Sequence, residues 1–305
     1  MLCPRVLGLF LVASILSAQS TIKVDVQLVQ MGFSVRDATG ELRTDLGPEA
    51  IDVFEDGERQ EVARFSAADR LPLRMGLLID ASGSQDSFRE THYGDLRVFL
   101  DSVLGLGDGV FVVGFGNRLR LIAPLTADAD AVLHRADLYR RGTRFPAVGP
   151  EERRSGGTGF FDALYHSIHE QFTVADAGRR ALVVLSDGAD NSSRYNLMDA
   201  IDAAQAKDVR IFNIWYAEHD EDSIRIHYGN RVMQRLAENT GGELLVRSGG
   251  DLGEHFSRIA DILRSSYELG YYSTNTDNDG RFRQVEIRTK DPALTVHAKP
   301  GYFAR

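Results

Sequence analysis

The chain has one cysteine, Cys3, and it stands ahead of an apolar run at residues 6–16. That position excludes a disulfide framework and thiolate zinc sites. It also excludes a lipid-bearing cysteine, which would follow such a run. A chain without disulfides must rely on its own core, and 305 residues are enough to bury one. Lysine is nearly absent as well. Lys23, Lys207, Lys290 and Lys299 are the four, so the basic residues are almost all arginine. No G-x-x-x-x-G-K and no G-x-S-x-G occurs, which removes the P-loop and the nucleophile elbow. The run at 6–16 is shorter than the roughly 20 residues of a membrane span. Positive charge in excess is missing too. The net charge of −9 argues against nucleic acid, whose binders carry a basic face.

What is present begins with an address. Arg5, the apolar run and the small residues "SAQS" at 17–20 make a signal peptide, with Ala18 and Ser20 at the small positions before the cut. An uncleaved anchor is the other reading of the same segment. The cleaved form predicts a periplasmic or secreted protein over residues 21–305, with no stable insertion in the membrane.

Three regions follow. Residues 21–71 alternate as strands do, with a turn at "DATGEL" and a hairpin about Asp56-Gly57. From 72 to 265 short apolar runs alternate with amphipathic stretches. Strands are predicted at 74–80, 109–115, 119–124, 181–186, 210–216 and 243–247. Helices are predicted at 87–104, 128–140, 160–173, 197–207, 230–239 and 252–266, the last with a core stripe of Phe256, Ile259 and Leu263. Unbroken apolar strands alternating with helices predict an α/β fold: a doubly wound, mostly parallel six-stranded sheet covered on both faces. The three residues "GNR" between 109–115 and 119–124 force a hairpin, so one edge strand runs antiparallel. Residues 266–305 return to β patterns. Each flank is too short to stand alone. The two are therefore expected to pair in one small β domain into which the α/β domain is inserted, against the alternative that each merely packs on it.

The chemistry gathers at strand ends, where open parallel sheets bind ligands. The apolar run Leu77-Leu78-Ile79 stops at Asp80, and Ser82 and Ser84 follow in the spacing D-x-S-x-S. "SGGTGFFDAL" at 155–164 is a Gly-rich loop that offers Thr158 before a helix. "ALVVLSDGADN" at 181–191 ends a strand at Asp187-Gly188. All three supply oxygen donors and none supplies sulfur, which suits Mg²⁺, Mn²⁺ or Ca²⁺ rather than zinc.

These three motifs, in this order, resemble the metal-ion-dependent adhesion site of von Willebrand factor type A domains, and the likeness covers about 72–265. The resemblance implies that Asp80, Ser82, Ser84, Thr158 and Asp187 hold a divalent cation, Mg²⁺ first, with the serines in direct contact, the aspartates often acting through water and the threonine alternating between the two. It implies a Rossmann-like type A fold and a non-enzymatic module that captures an Asp or Glu of a protein partner. The flanks resemble an exported bacterial subgroup of type A proteins known from acidobacteria.

Other readings of the same residues stand beside this one. Ser84, Asp86, Ser87 and Thr158 can serve as helix N-caps. His166 and His169, three apart on one helix, can form a zinc pair, or simply face solvent. "EHDED" at 218–222 is a solvated loop at the rim of the strand ends. "GFGNRL" at 114–119 leads into a strand and lacks the third glycine of a dinucleotide loop. The enzyme reading is a Mg²⁺ phosphohydrolase of haloacid-dehalogenase type with Asp80 as nucleophile. It asks for a carboxylate two residues after Asp80, where Ser82 stands. It also asks for a lysine before the metal loop, and none lies between 23 and 207.

Overall fold

The computed structural model describes residues 28–67, 71–82, 89–150, 157–173, 178–216, 224–246 and 252–304. The expected signal peptide at 1–20, the site candidate Ser84 and the 218–222 cluster lie outside the described residues. The chain begins with β1 (Leu28–Arg36), β2 (Ile51–Glu55), β3 (Glu58–Gln60), β4 (Val62–Ala67) and β5 (Leu73–Asp80). Next come α1 (Arg89–Val103), β6 (Gly109–Phe115), β7 (Arg120–Thr126), α2 (Ala129–Arg140), α3 (Phe160–Gln171) and β8 (Arg179–Ser186). Then follow α4 (Leu197–Ala206), β9 (Val209–Trp215), α5 (Ile224–Thr240), β10 (Leu244–Val246) and α6 (Leu252–Arg264). The chain closes with β11 (Tyr267–Tyr272), β12 (Phe282–Thr289), β13 (Thr295–Ala298) and β14 (Gly301–Phe303).

The central sheet has six strands in the order β10-β9-β8-β5-β6-β7. All neighbours are parallel except β6 and β7, which pair antiparallel at the edge. Strand order reverses between β5 and β8, so the crevice of a doubly wound sheet opens at their carboxyl ends. Alternation along β5 shows why both faces are covered. Leu73, Met75, Leu77 and Ile79 enter one core with Phe99 of α1, Val132 of α2 and Phe256 and Ile259 of α6. Leu78 enters the other with Phe111, Leu164 of α3, Ile201 of α4 and Leu236 of α5. Gly76 faces that second core, where Phe111 and Leu182 fill the space a side chain would need. The predicted stripe Phe256, Ile259 and Leu263 is buried on α6.

Helix ends follow local chemistry. Asp128 caps α2 by accepting from Ala131 N at 2.9 Å. Asn196 and Asp199 form a reciprocal capping box on α4. The expected helix at 230–239 begins earlier, at Ile224. The β-branched residues before Gly229, and Gly229 itself, read as a helix boundary by propensity. The structure carries α5 through that glycine because the helix packs there against the loop after β8, as described below.

Two further four-stranded sheets flank the α/β unit, in the orders β13-β1-β11-β4 and β14-β12-β2-β3. Each takes two strands from before residue 72 and two from after 265. Phe33, Val53, Leu269 and Ile287 share one apolar cluster that joins both sheets. The Asp56-Gly57 hairpin forms with φ of 48° and 88° at its two central residues, the left-handed pair of a tight two-residue turn. The flanks are tied to the central unit by polar contacts. Lys299 Nζ pairs with Asp208 Oδ1 at 2.7 Å, Arg36 pairs with Glu243 at 2.8 Å, and Arg210 Nη1 donates to Ser266 Oγ at 2.7 Å.

Candidate metal centre

Asp80 is the last residue of β5 and only 1% exposed. Its Oδ1 accepts from Ser82 N at 2.9 Å, and its Oδ2 accepts from Ser186 Oγ at 2.7 Å. The Ser82 hydroxyl also bonds the carboxylate. These donors are neutral and favour the anion, yet they do not outweigh the loss of water. Burial, reinforced by the nearby charge of Asp187, pushes the Asp80 carboxyl up to about 6.

The neighbouring strand supplies the rest. Ser186 ends β8, wholly buried, and its hydroxyl accepts from Gly188 N at 3.1 Å. Asp187 follows, buried, with Oδ1 accepting from Ala189 N at 2.9 Å. Gly188 turns the chain at φ 73°, and a side chain there would stand 2.5 Å from the Gly229 carbonyl of α5. In return, a side chain at Gly229 would overlap the Asp187 carbonyl oxygen. The two glycines let helix and loop touch backbone to backbone, and this contact holds Asp187 beside Asp80.

Thr158 is buried, and a second loop fixes it. Its N–H donates to Asn191 Oδ1 at 2.7 Å, and its carbonyl accepts from Asn191 N at 3.2 Å and Ser192 N at 3.3 Å. The sequence allowed Thr158 as the N-cap of α3. The structure puts Gly159 there, with no side-chain cap of its own. The free helix end is met from the β8 loop instead. Asp190 Oδ1 accepts from Phe160 N at 2.9 Å, and Ser193 Oγ accepts from Asp162 N at 3.0 Å. Buried Asp162 returns the link by accepting from Arg194 N and Tyr195 N. The loops bearing Thr158 and Asp187 are thus one hydrogen-bonded unit. Asp80, Ser82, Thr158 and Asp187 all lie at the carboxyl end of the sheet, on the two strands that flank its reversal and the loop bonded to them.

The donors suit a hard divalent cation. Two buried carboxylates and two buried hydroxyl residues stand at one end of the sheet, and burial there disfavours the Asp80 anion. Among the described residues no three His, Cys, Asp or Glu side chains cluster as a metal set. A site here would therefore depend on hydroxyls. Among the described residues no group of three ligands forms around His166 and His169. His166 is half-buried, meets Tyr195 edge-on and lies 3.6 Å from Glu170, and His169 packs on Tyr165. His166 thus departs from the solvent-facing expectation.

No family model and no curated protein matches the chain. Solved structures do. An aerotolerance-related membrane protein from Bacteroides fragilis, with multiple mutations to serines, is similar at 16% identity and a TM-score of 0.46, covering 63% of this chain and 98% of that one. BatB from Bacteroides thetaiotaomicron gives the same identity, coverage and score. Proximal thread matrix protein 1 from the mussel byssus, solved with a zinc-occupied MIDAS motif, is similar at 13% identity and a TM-score of 0.48; 68% of this chain spans 49% of that protein. The place of the site in this chain follows from its own strand order and side chains.

Sequence reasoning missed Ser186, Asp190, Asn191, Ser193 and Gly229. Ser186 stands directly before Asp187, and a hydroxyl at the end of an otherwise apolar strand was its one visible signal. The others act by contacts between distant segments, which spacing does not show.

Proposed function

We propose that this chain is a non-enzymatic protein-binding module, exported to the periplasm or beyond, that uses a divalent cation to capture an acidic group of a protein partner. The observation that carries the reading is buried Asp80 beside Asp187 at the sheet's reversal, with hydroxyl donors from Ser82 and Ser186 around it. Asp80, Ser82, Thr158 and Asp187 would hold Mg²⁺, with Mn²⁺ or Ca²⁺ as alternatives and Ser84 as a further ligand expected from the sequence. When bound, the cation would keep affinity for one more anionic oxygen, because neutral hydroxyls of Ser82 and Thr158 rather than further carboxylates would fill part of its shell. The residues of the chain do the positioning. Ser186 orients Asp80, the Gly188–Gly229 contact places Asp187, and Asn191 holds the Thr158 backbone.

The enzyme alternative finds no support at this site. The residue two beyond Asp80 is Ser82, not an acid. Lys207, the first lysine after Lys23, spends its ammonium on the carbonyls of Ile168, His169 and Phe172 at the end of α3. Among the described residues no helix is long and apolar enough to cross a membrane. Isothermal titration with Mg²⁺, paired with a p-nitrophenyl phosphate assay, tests the reading. Metal binding without phosphatase turnover supports it, and Mg²⁺-dependent turnover lost in Asp80→Asn overturns it.

A further inference from the structure

Two successive carbonyls at the end of β6 reach two different loops. Phe115 O accepts from Ala81 N at 2.6 Å, in the turn between Asp80 and Ser82. Gly116 O accepts from Gly159 N at 3.1 Å, next to Thr158. These bonds complete a circuit. Asp80 is joined to Ser186, and the loop after Ser186 is joined to Thr158 through Asn191. The Thr158 loop is joined to Gly116, and Phe115 leads back to Ala81. Asp80, Ser82, Thr158 and Asp187 all ride on this circuit, which runs over the ends of the neighbouring strands β8, β5 and β6. Gly116 is its tightest link. It is buried, and a Cβ there would stand 3.2 Å from Ser82 N and 3.3 Å from the carbonyl carbon and oxygen of Ala81. Its φ lies outside the left-handed region, so alanine brings no backbone strain and the contact alone decides the effect.

We infer that Gly116 is the spacer that sets cation selectivity at the candidate metal centre, favouring Mg²⁺ over Ca²⁺. The inference rests on the proposed function and deepens it by naming the residue that selects the cation. A closed circuit of hydrogen bonds fixes the spacing of the groups it carries. The missing side chain at 116 lets the Ser82 turn lie flush against the strand end that also holds the Thr158 loop, so the circuit is as narrow there as backbone contact allows. Mg²⁺ demands a near-octahedral shell with oxygens at about 2.0–2.1 Å, whereas Ca²⁺ accepts looser geometry at about 2.3–2.6 Å. A methyl group at 116 requires the Ala81–Ser82 backbone to give by a few tenths of an ångström. That is about the difference between the two sets of bond lengths. The displacement therefore spoils a shell sized for the small ion and suits the larger one.

The test is calorimetric titration of magnesium chloride and of calcium chloride into the full chain, as wild type, Gly116→Ala and Gly114→Ala, each checked by circular dichroism. Gly114 is the matched control. It lies two residues earlier on β6, and a Cβ there would meet the side-chain ends of Tyr139 and Ile122 at 3.0 and 3.1 Å, away from the circuit. Gly116→Ala should keep native circular dichroism and lose Mg²⁺ affinity about tenfold, as second-shell changes do. Its Ca²⁺ affinity should change by less than about threefold, because that ion tolerates a wider shell. Gly114→Ala should leave the ratio of the two affinities as in the wild type. Equal weakening of both ions in Gly116→Ala, or no change in either, overturns the inference and leaves the proposed function standing. So does a wild type that prefers Ca²⁺, a Gly114→Ala protein with the same altered ratio, or a Gly116→Ala protein without native circular dichroism. A wild type that binds neither ion overturns the proposed function, and the spacer role with it.

Discussion

Ser186 Oγ donates to Asp80 Oδ2 across 2.7 Å, joining the ends of β8 and β5 at the point where the sheet reverses its strand order. The same hydroxyl accepts from Gly188 N and so shapes the turn after Asp187. One side chain therefore orients one candidate ligand and the loop of the other. Ser186→Ala should cost about 1–2 kcal/mol of stability, because it strips a buried acceptor of a donor. It should also lower Mg²⁺ affinity several-fold while leaving the secondary structure intact. Chemical denaturation and calorimetric titration of the variant check both effects.

The raised Asp80 carboxyl gives a pH signature in EDTA. Its value of about 6 in the fold lies above the ordinary 3.8, so its contribution to stability is complete below about pH 4 and is lost as pH rises through about 6. The difference is on the order of 3 kcal/mol. Asp80→Asn should therefore raise the stability of the metal-free protein at neutral pH and flatten its decline between about pH 4 and pH 6, relative to wild type. Denaturant melts across that range measure it. Metal binding runs the other way, since it requires the carboxylate, and should weaken below about pH 6.

Gly229→Ala puts a methyl group where the Asp187 carbonyl oxygen lies. The helix must move away from the loop or the loop must shift. The expected cost is about 1–3 kcal/mol, as for overpacking elsewhere. A concurrent loss of Mg²⁺ affinity would distinguish this glycine from one that serves only packing. The melting temperature and a Mg²⁺ titration of the variant report the two effects separately.

How much of this was readable beforehand varies by element. The apolar runs ending at Asp80 and Ser186 announced buried parallel strands, because period-free apolar stretches fit a sheet covered on both faces. The hairpin from β6 to β7 was forced by its short connection. The start of α5 was not legible, because Gly229 looks like a helix boundary until its partner across space, Gly188, is known. The sequence places Thr158 on a Gly-rich loop before a helix. The structure pins its backbone to Asn191, a contact between residues 33 apart that no local pattern encodes. The network joining Asp190 and Ser193 to the start of α3 was hidden for the same reason.

The flanks carry a prediction of their own. β1 pairs with β11 and β13, and β2 pairs with β12, so the first flank bonds mainly to strands from the far end of the chain. Fragment 72–265 should fold alone, whereas fragment 21–71 should not, since a lone β2–β3 hairpin is marginal in water. Circular dichroism melts of both decide it. A cooperative transition from 21–71 would refute the idea of a β domain shared by the two ends.

The most direct measurement is calorimetric titration of Mg²⁺ into the wild-type chain and into Asp80→Ala, both at neutral pH and both checked for native circular dichroism. The account predicts saturable one-site binding in the wild type and none, or binding weakened by orders of magnitude, in the variant. An Asp80→Ala protein that binds Mg²⁺ as the wild type does would contradict the metal centre and the partner capture built on it.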